Sequence, residues 1–223
     1  MTTIRENEVG QESMKRDFYH LIINGEKVKS STGETIKTFN PATGELIAEV
    51  AKASKEDAES AIAAARNAFD NGKWKLFPVG KRSQVLNKIA AIMRSRFNEL
   101  VELEILDTGK SLHAAQGQVT QAIEDFEFYA GAIVGHRGTV NNVPGQFHNY
   151  TEKEAVGVCA QIIPWNYPLM MAAWKVAPAI AVGCTVIVKP ASLTPLTAII
   201  LGEICLEAGV PAGVVNVIPG SGA

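Results

Sequence analysis

The chain has 223 residues, room for one large domain or two small ones, and 47% apolar against 20% charged residues is the balance of a soluble globular protein. Its 21 basic and 23 acidic residues leave a net charge of −2, which excludes the basic surplus of a nucleic-acid or membrane-surface binder. The balance is uneven: from residue 160 onward the only charged side chains are Lys175, Lys189, Glu203 and Glu207.

Residues 1–19 open with a polar mixture of acids and bases that predicts a flexible N-terminus and contains no apolar stretch for a signal peptide. Residues 20–52 read as short strands. Leu21-Ile22-Ile23, Asn24-Gly25 and Glu26-Lys27-Val28 predict a two-residue hairpin, since Asn-Gly accepts the positive φ of a type I′ turn. Helices follow to about residue 135. Ser54 with Asp57 suggests a capping box, and Ala58, Ala61, Ile62, Ala65, Ala68 and Phe69 recur at helical spacing as a core face. Val85, Leu86, Ile89, Ile92 and Met93 mark a second helix, Leu100–Leu106 a third stopped by Gly109, and residues 112–134 a fourth. Residues 137–155 predict a polar, extended β-hairpin around Pro144-Gly145 that needs something else to pair with.

Beyond it, apolar strands at 155–163, 185–188 and 214–218 alternate with helices at 169–182 and 195–208. That alternation predicts an α/β fold with a parallel sheet whose strands are buried on both faces, which accounts for the charge-poor third. Leu169–Val188 carries one charge over the length of a membrane span, but Lys175, Pro178 and Gly183 interrupt it, and a buried helix entering a buried strand explains it better. Cys159, Cys184 and Cys205 are odd in number and lie in apolar surroundings; they read as small buried hydrophobes of a reducing, cytoplasmic compartment. The four histidines have no spacing that suggests a metal site.

Open parallel sheets bind ligands beyond the carboxyl ends of their strands. That rule selects Pro164-Trp165-Asn166-Tyr167-Pro168, then Lys189-Pro190-Ala191-Ser192, then Pro219-Gly220-Ser221-Gly222. Each has a plain alternative: a turn between prolines, a solvated lysine, ordinary turn glycines. Their coincidence on one crest favours a ligand site, and the residues alone lead as far as a nucleotide-binding fold.

The stretch from Ile162 to Thr197, IIPWNYPLMMAAWKVAPAIAVGCTVIVKPASLTPLT, resembles the most recognisable N-terminal block of the NAD(P)-dependent aldehyde dehydrogenase superfamily. INGE from Ile23, FNPATGELI from Phe39, LDTGK from Leu106 and LEAGVPAGVVNVIPG ending at Gly220 extend the likeness over nearly all of the chain beyond residue 20. The resemblance implies an incomplete Rossmann-like cofactor domain over 20–136 and 156–223, with 137–155 as an oligomerisation hairpin and a homo-oligomer as the assembly.

It also implies oxidation of an aldehyde to a carboxylic acid. In that chemistry a cysteine thiolate attacks the aldehyde, hydride passes to NAD or NADP, and a glutamate-activated water releases the product. By motif position, Asn166 is the side-chain donor of the oxyanion hole, and Lys175 belongs to the proton-relay region. Ile162, Ile163, Pro164, Trp165, Asn166, Lys189, Ser192 and Gly222 form the cofactor cleft, with Lys189 on the adenosine ribose. Tyr167, Met171 and Trp174 line the substrate tunnel, whose two aromatics suit a quaternary ammonium as in betaine-aldehyde enzymes, or a plain aliphatic aldehyde. Ser192 departs from the glutamate of many NAD-preferring members, which leaves NADP open beside a preference for NAD. Members of the family are much longer than this chain, and their nucleophilic cysteine and general base fall beyond Ala223. The expectation is therefore a fragment not competent alone; the alternative is a non-catalytic cofactor-binding or assembly protein that pairs with full-length subunits. No nucleic acid, membrane or metal is implied.

Overall fold

A computed structural model describes residues 16–222. The predicted flexible segment lies almost wholly outside the described residues. Strands β1 (Phe18–Tyr19), β2 (Leu21–Ile23), β3 (Glu26–Val28), β4 (Thr35–Phe39) and β5 (Leu46–Ala51) come first. Helices α1 (Lys55–Asp70), α2 (Val79–Ser95), α3 (Phe97–Thr108) and α4 (Leu112–Ala132) follow. After the short ribbon strands β6 (Val140–Asn141) and β7 (Asn149–Tyr150), the chain alternates β8 (Val158–Ile162), α5 (Pro168–Ala181), β9 (Thr185–Lys189), α6 (Leu196–Glu207) and β10 (Val215–Val217).

The cofactor-type sheet runs β3-β2-β10-β9-β8, with β8, β9 and β10 mutually parallel as the alternating pattern requires. It is mixed, not purely parallel, because the β2–β3 hairpin joins antiparallel to β10. Asn24 (φ 54°) and Gly25 (φ 80°) make the predicted turn, and Asn24 N donates to Asn216 Oδ1 at 2.9 Å, tying it to β10. A separate sheet, β1-β5-β4, stands beside it.

Alternation along β9 sorts the two faces. Ile187 meets Ala61 and Ala65 of α1, whereas Val186 and Val188 face the main core with α5 and α6. Strands β9 and β10 are covered on both sides, but β8 is not: as the sheet's outer strand it leaves Ile162 69% exposed and Cys159 only half-buried. That corrects the expectation of strands buried throughout, since an apolar run reads the same at an edge as in the middle. Helix α1 has the predicted capping box of Ser54 and Asp57. Its core face is narrower than expected. Ile62 is 53% exposed, and Phe69 lies between the Arg66 guanidinium (4.7 Å) and the Lys75 ammonium (4.6 Å).

Helix α5, which starts directly after the crest loop, is fixed at its far end by two buried donors. Trp74 Nε1 donates to Ile180 O (3.0 Å), which Gly183 N also meets (3.1 Å), and Arg82 Nε donates to Ala181 O (2.8 Å), so side chains supply donors to the carbonyls of the last turn. Arg82 also holds Phe77 O at 2.6 Å, and the cation suits the negative end of the helix dipole. Residues 137–155 form the expected ribbon, but its paired part is two residues per strand and almost every residue is exposed.

Candidate functional site

The carboxyl ends of β8, β9 and β10 present one crest, as the topology rule requires. From β8 the chain passes through Ile163, buried and donating from its N to Lys189 O (3.0 Å), into the exposed loop Pro164–Tyr167. Trp165 is 59% exposed, its carbonyl held by Thr194 Oγ1 at 2.9 Å. The Asn166 carboxamide is exposed and donates to nothing among the described residues. At the end of β9, Lys189 Nζ donates to Gly220 O at 3.1 Å, which joins the second and third crest segments. Ser192 is half-buried in the loop that follows, and Gly222 is exposed beyond β10. A Cβ at Gly222 would meet no protein atom within 4 Å, so the fold itself does not demand glycine there.

Tyr167, Met171 and Trp174 fall at the start and on one face of α5, as spacing of four and then three requires. Tyr167 and Trp174 are exposed and Met171 half-buried. Lys175 lies one position round. In place of a carboxylate, its Nζ donates to Ile162 O (2.5 Å), and Gln161 Nε2 donates to Lys175 O (2.8 Å), fastening α5 to the outer strand.

Two acids outside the candidate site residues hold the crest in place. Glu104, 1% exposed, sits on α3 and accepts Leu169 N (3.0 Å) and Thr197 Oγ1 (2.8 Å) on one oxygen and Lys110 Nζ (2.8 Å) on the other. Asp107, three residues on, accepts Leu196 N (3.1 Å) and Thr38 Oγ1 (2.8 Å). Neither α5 nor α6 has a local side-chain cap; both are capped at a distance by carboxylates of one helix. Gly109, at φ 72° and with Pro41 Cγ 2.7 Å from where a Cβ would stand, turns the chain so that Lys110 folds back over Glu104. Lys110 Nζ also bonds Gln118, comes within 3.5 Å of Asn166 O, and stands 5.8 Å from the Tyr167 ring. Burial pushes the Asp107 carboxyl up to about 7, only partly offset by the donors Thr38 and Leu196. The sequence does carry a signal: Glu104 and Asp107 stand four and seven positions after Leu100, on the apolar face with Leu103, whereas Glu102 falls on the solvated one.

The cysteines do not form a nucleophile. Burial raises Cys205 to about 12 and, with the neighbouring Cys184 adding to it, Cys159 to about 11. None of the three lies on the crest. The described residues hold no group of three or more metal-ligating side chains and no helix long and apolar enough to cross a membrane. A cleft of about 440 Å³ lined by Arg16, Lys27, Arg96 and Glu203 lies at the other end of α6, away from the crest.

The sequence model of the aldehyde dehydrogenase family matches residues 27–223. The chain belongs to the aldehyde dehydrogenase family. It is 43% identical over 206 residues to aldehyde dehydrogenase 1 of Tanacetum cinerariifolium, a match that covers 92% of this chain and 41% of that protein. The structure superposes on the NAD+ complex of a Bacillus cereus aldehyde dehydrogenase with a TM-score of 0.91 at 39% identity, covering 94% of this chain and 43% of the other. It superposes equally, TM-score 0.91 at 39% identity, on a betaine aldehyde dehydrogenase double mutant from Staphylococcus aureus in complex with NAD+, covering 95% of this chain and 43% of that one. The chain thus spans well under half the length of these aldehyde dehydrogenases.

Proposed function

We propose that this chain supplies the cofactor-binding half of an NAD-dependent aldehyde dehydrogenase active site, with Asn166 as the donor that stabilises the oxyanion. The observation that carries the reading is the crest itself: a free carboxamide at Asn166, an ammonium at Lys189 anchored on the Gly220 carbonyl, and an open approach at Gly222. These groups fit a dinucleotide, since Lys189 retains two N–H donors for ribose hydroxyls and Ile162, Pro164 and Trp165 offer an exposed surface for the flat rings. Bound NAD would supply the hydride acceptor. Asn166 would donate its amide N–H to the aldehyde oxygen as negative charge builds there, which stabilises that charge without a proton transfer. Tyr167, Met171 and Trp174 would line the approach of the aldehyde. Lys175, held on Ile162 O, would organise the outer strand beside it.

Ser192 leaves a hydroxyl where a carboxylate would repel a 2′-phosphate, so Ser192→Glu is expected to raise the preference for NAD over NADP. The main test is a titration of the full chain with NAD, followed by Trp165 fluorescence and repeated for Lys189→Ala. Quenching that saturates in the parent and weakens at least about tenfold in the variant supports the reading, one lost set of charge-assisted hydrogen bonds being worth that much. Equal titrations overturn it. With raised thiol pKa values and no cysteine at the crest, the chain alone is expected to form no NADH from NAD and an aldehyde.

The exposed ribbon 137–155 favours a further element of this reading, pairing with a second subunit. Light scattering of the full chain, with the ribbon tip replaced by a short glycine-serine turn, would show a loss of mass if the ribbon holds the assembly.

A further inference from the structure

Helix α5 begins at the crest and ends, about 20 Å away by the rise of its 14 residues, beside a second cleft. This cleft measures about 200 Å³, and its charged and polar lining comes from Arg82, His136, Lys153 and Glu154. His136 and Lys153 flank the base of the ribbon, and both are exposed.

Arg82 gives the cleft its character. It is only 7% exposed, yet no carboxylate among the described residues stands within ion-pair distance of it, Glu154 included. Arg16, Arg66, Arg94 and Arg96, all less buried, each meet an acid. Arg82 spends its Nε on Ala181 O and its Nη1 on Phe77 O (2.6 Å) and Lys75 O (3.3 Å). The N–H groups of Nη2 have no partner among the described residues. The end of α5 returns roughly half a negative charge, which leaves the rest of the guanidinium charge unmatched in a buried place. Burial, with no acid opposing it, holds the Arg82 pKa below its ordinary value. Lys153 adds a second cation that makes no ion pair among the described residues.

The free donors also choose among anions. A carboxylate is best held by two parallel N–H groups of a guanidinium fork, and here Nε and Nη1 are both turned to carbonyls. Nη2 is left to meet a ligand end-on, while the ammonium and the imidazole approach from the ribbon side. An oxyanion that accepts from several directions suits that arrangement better than a planar one, and Val79, Ile133 and Val182 offer an apolar wall to a short carbon chain. We propose that this cleft binds the phosphate group of a small phosphomonoester, held by Arg82 Nη2, Lys153 and His136. The site lies at the opposite end of α5 from the crest and does not rest on the reading of the crest.

Isothermal titration of the full chain with inorganic phosphate and with acetate, at constant ionic strength, measures the preference. Proton NMR of the histidine rings locates it, with His136→Gln assigning the signal. Phosphate is expected to saturate with a Kd of about 1 mM or tighter and to bind at least about tenfold more tightly than acetate. Lys153→Glu should weaken phosphate about tenfold or more, and phosphate should move the His136 ring signals while leaving those of His20 and His113 in place. Arg82 holds the end of α5, so its replacement endangers the fold; Lys153 and His136 are exposed, and thermal melting confirms that their variants stay folded. No saturation by about 20 mM phosphate, acetate binding as tight as phosphate, or full affinity in Lys153→Glu overturns the proposal. Phosphate held at the crest instead would leave the His136 signals still, ignore Lys153→Glu and yield to NAD, which removes this cleft as a site and leaves the crest reading intact.

Discussion

At the start of α5 the capping carboxylate, Glu104, meets a lysine; at the start of α6 the capping carboxylate, Asp107, meets none. Both come from one helix, both are about 1–2% exposed, and each accepts one backbone N–H and one threonine hydroxyl. A negative charge at a helix N-terminus is favourable, yet the dipole and two neutral donors do not outweigh full desolvation at Asp107, whose pKa stays near 7. The difference teaches that one remote cap brings its counterion with it and the other caps by neutral donors alone. Lys110 is that counterion, delivered five residues beyond α3's Ile105 by the left-handed turn at Gly109.

Removing each cap should therefore have unequal consequences. Glu104→Ala takes the carboxylate from the Lys110 ammonium, which keeps only Gln118 and a long contact to Asn166 O, and leaves the Leu169 N–H and the Thr197 hydroxyl without an acceptor in a buried site. It is expected to cost about 3–5 kcal/mol of unfolding free energy in urea. Asp107→Ala strands two neutral donors and should cost about 1–3 kcal/mol. Equal losses would mean that Lys110 contributes nothing to the asymmetry. The second prediction converts one site into the other. Lys110→Met leaves Glu104 with the two neutral donors that Asp107 has, and breaking the buried pair from the cation side is expected to cost about 3 kcal/mol of unfolding free energy in urea. A loss well under about 1 kcal/mol would show that Lys110 contributes little to holding the cap.

Which of these features the sequence announces depends on how local their causes are. The Asn24-Gly25 turn and the Ser54–Asp57 capping box are settled within four residues and were legible at once. The alternation of strands and helices after residue 155 was equally plain, because burial on two faces leaves a composition that periodicity can read. What failed was everything fixed by distant partners. Nothing near Ile162 says that β8 is an outer strand, and nothing near Ile22 says that it pairs with Val217. The three crest segments come together because topology puts the ends of parallel strands side by side, and Lys189 does reach Gly220. Their supports were not found, because Glu104 bonds residues 65 and 93 positions away and an acid on a helix ordinarily reads as solvated. LDTGK carries a family likeness in the sequence, but only the fold shows that its Asp107 caps α6 and that its Lys110 pairs with Glu104.

A pH series tests the comparison most directly. In the unfolded chain an aspartate ionises near 3.9, whereas folded Asp107 holds its proton to about 7. Between those values the folded state binds more protons, so this group makes stability fall as pH rises through the window and adds no slope above it. Asp57 and Glu203, whose carboxyls are held low by hydrogen bonds and, for Glu203, by Arg16, act with the opposite sign and in a different range. Their stability is present above the ordinary carboxylate range and is lost as pH falls below it. A melt series from pH 5 to 8 therefore reads the buried acids, with Asp125 sharing the lower part of the window and His20, held low by burial and the nearby Lys27, adding a slope of opposite sign. Asp107→Asn keeps an acceptor for Leu196 N–H and removes the titration. It should match the parent at pH 5 and exceed it by about 2–3 kcal/mol at pH 8, two pKa units of linkage, flattening the upper slope. An unchanged slope would place the proton elsewhere. A variant weaker than the parent at pH 8 would mean that Asp107 is ionised and useful there, and that the helix dipole can hold a buried charge without a lysine.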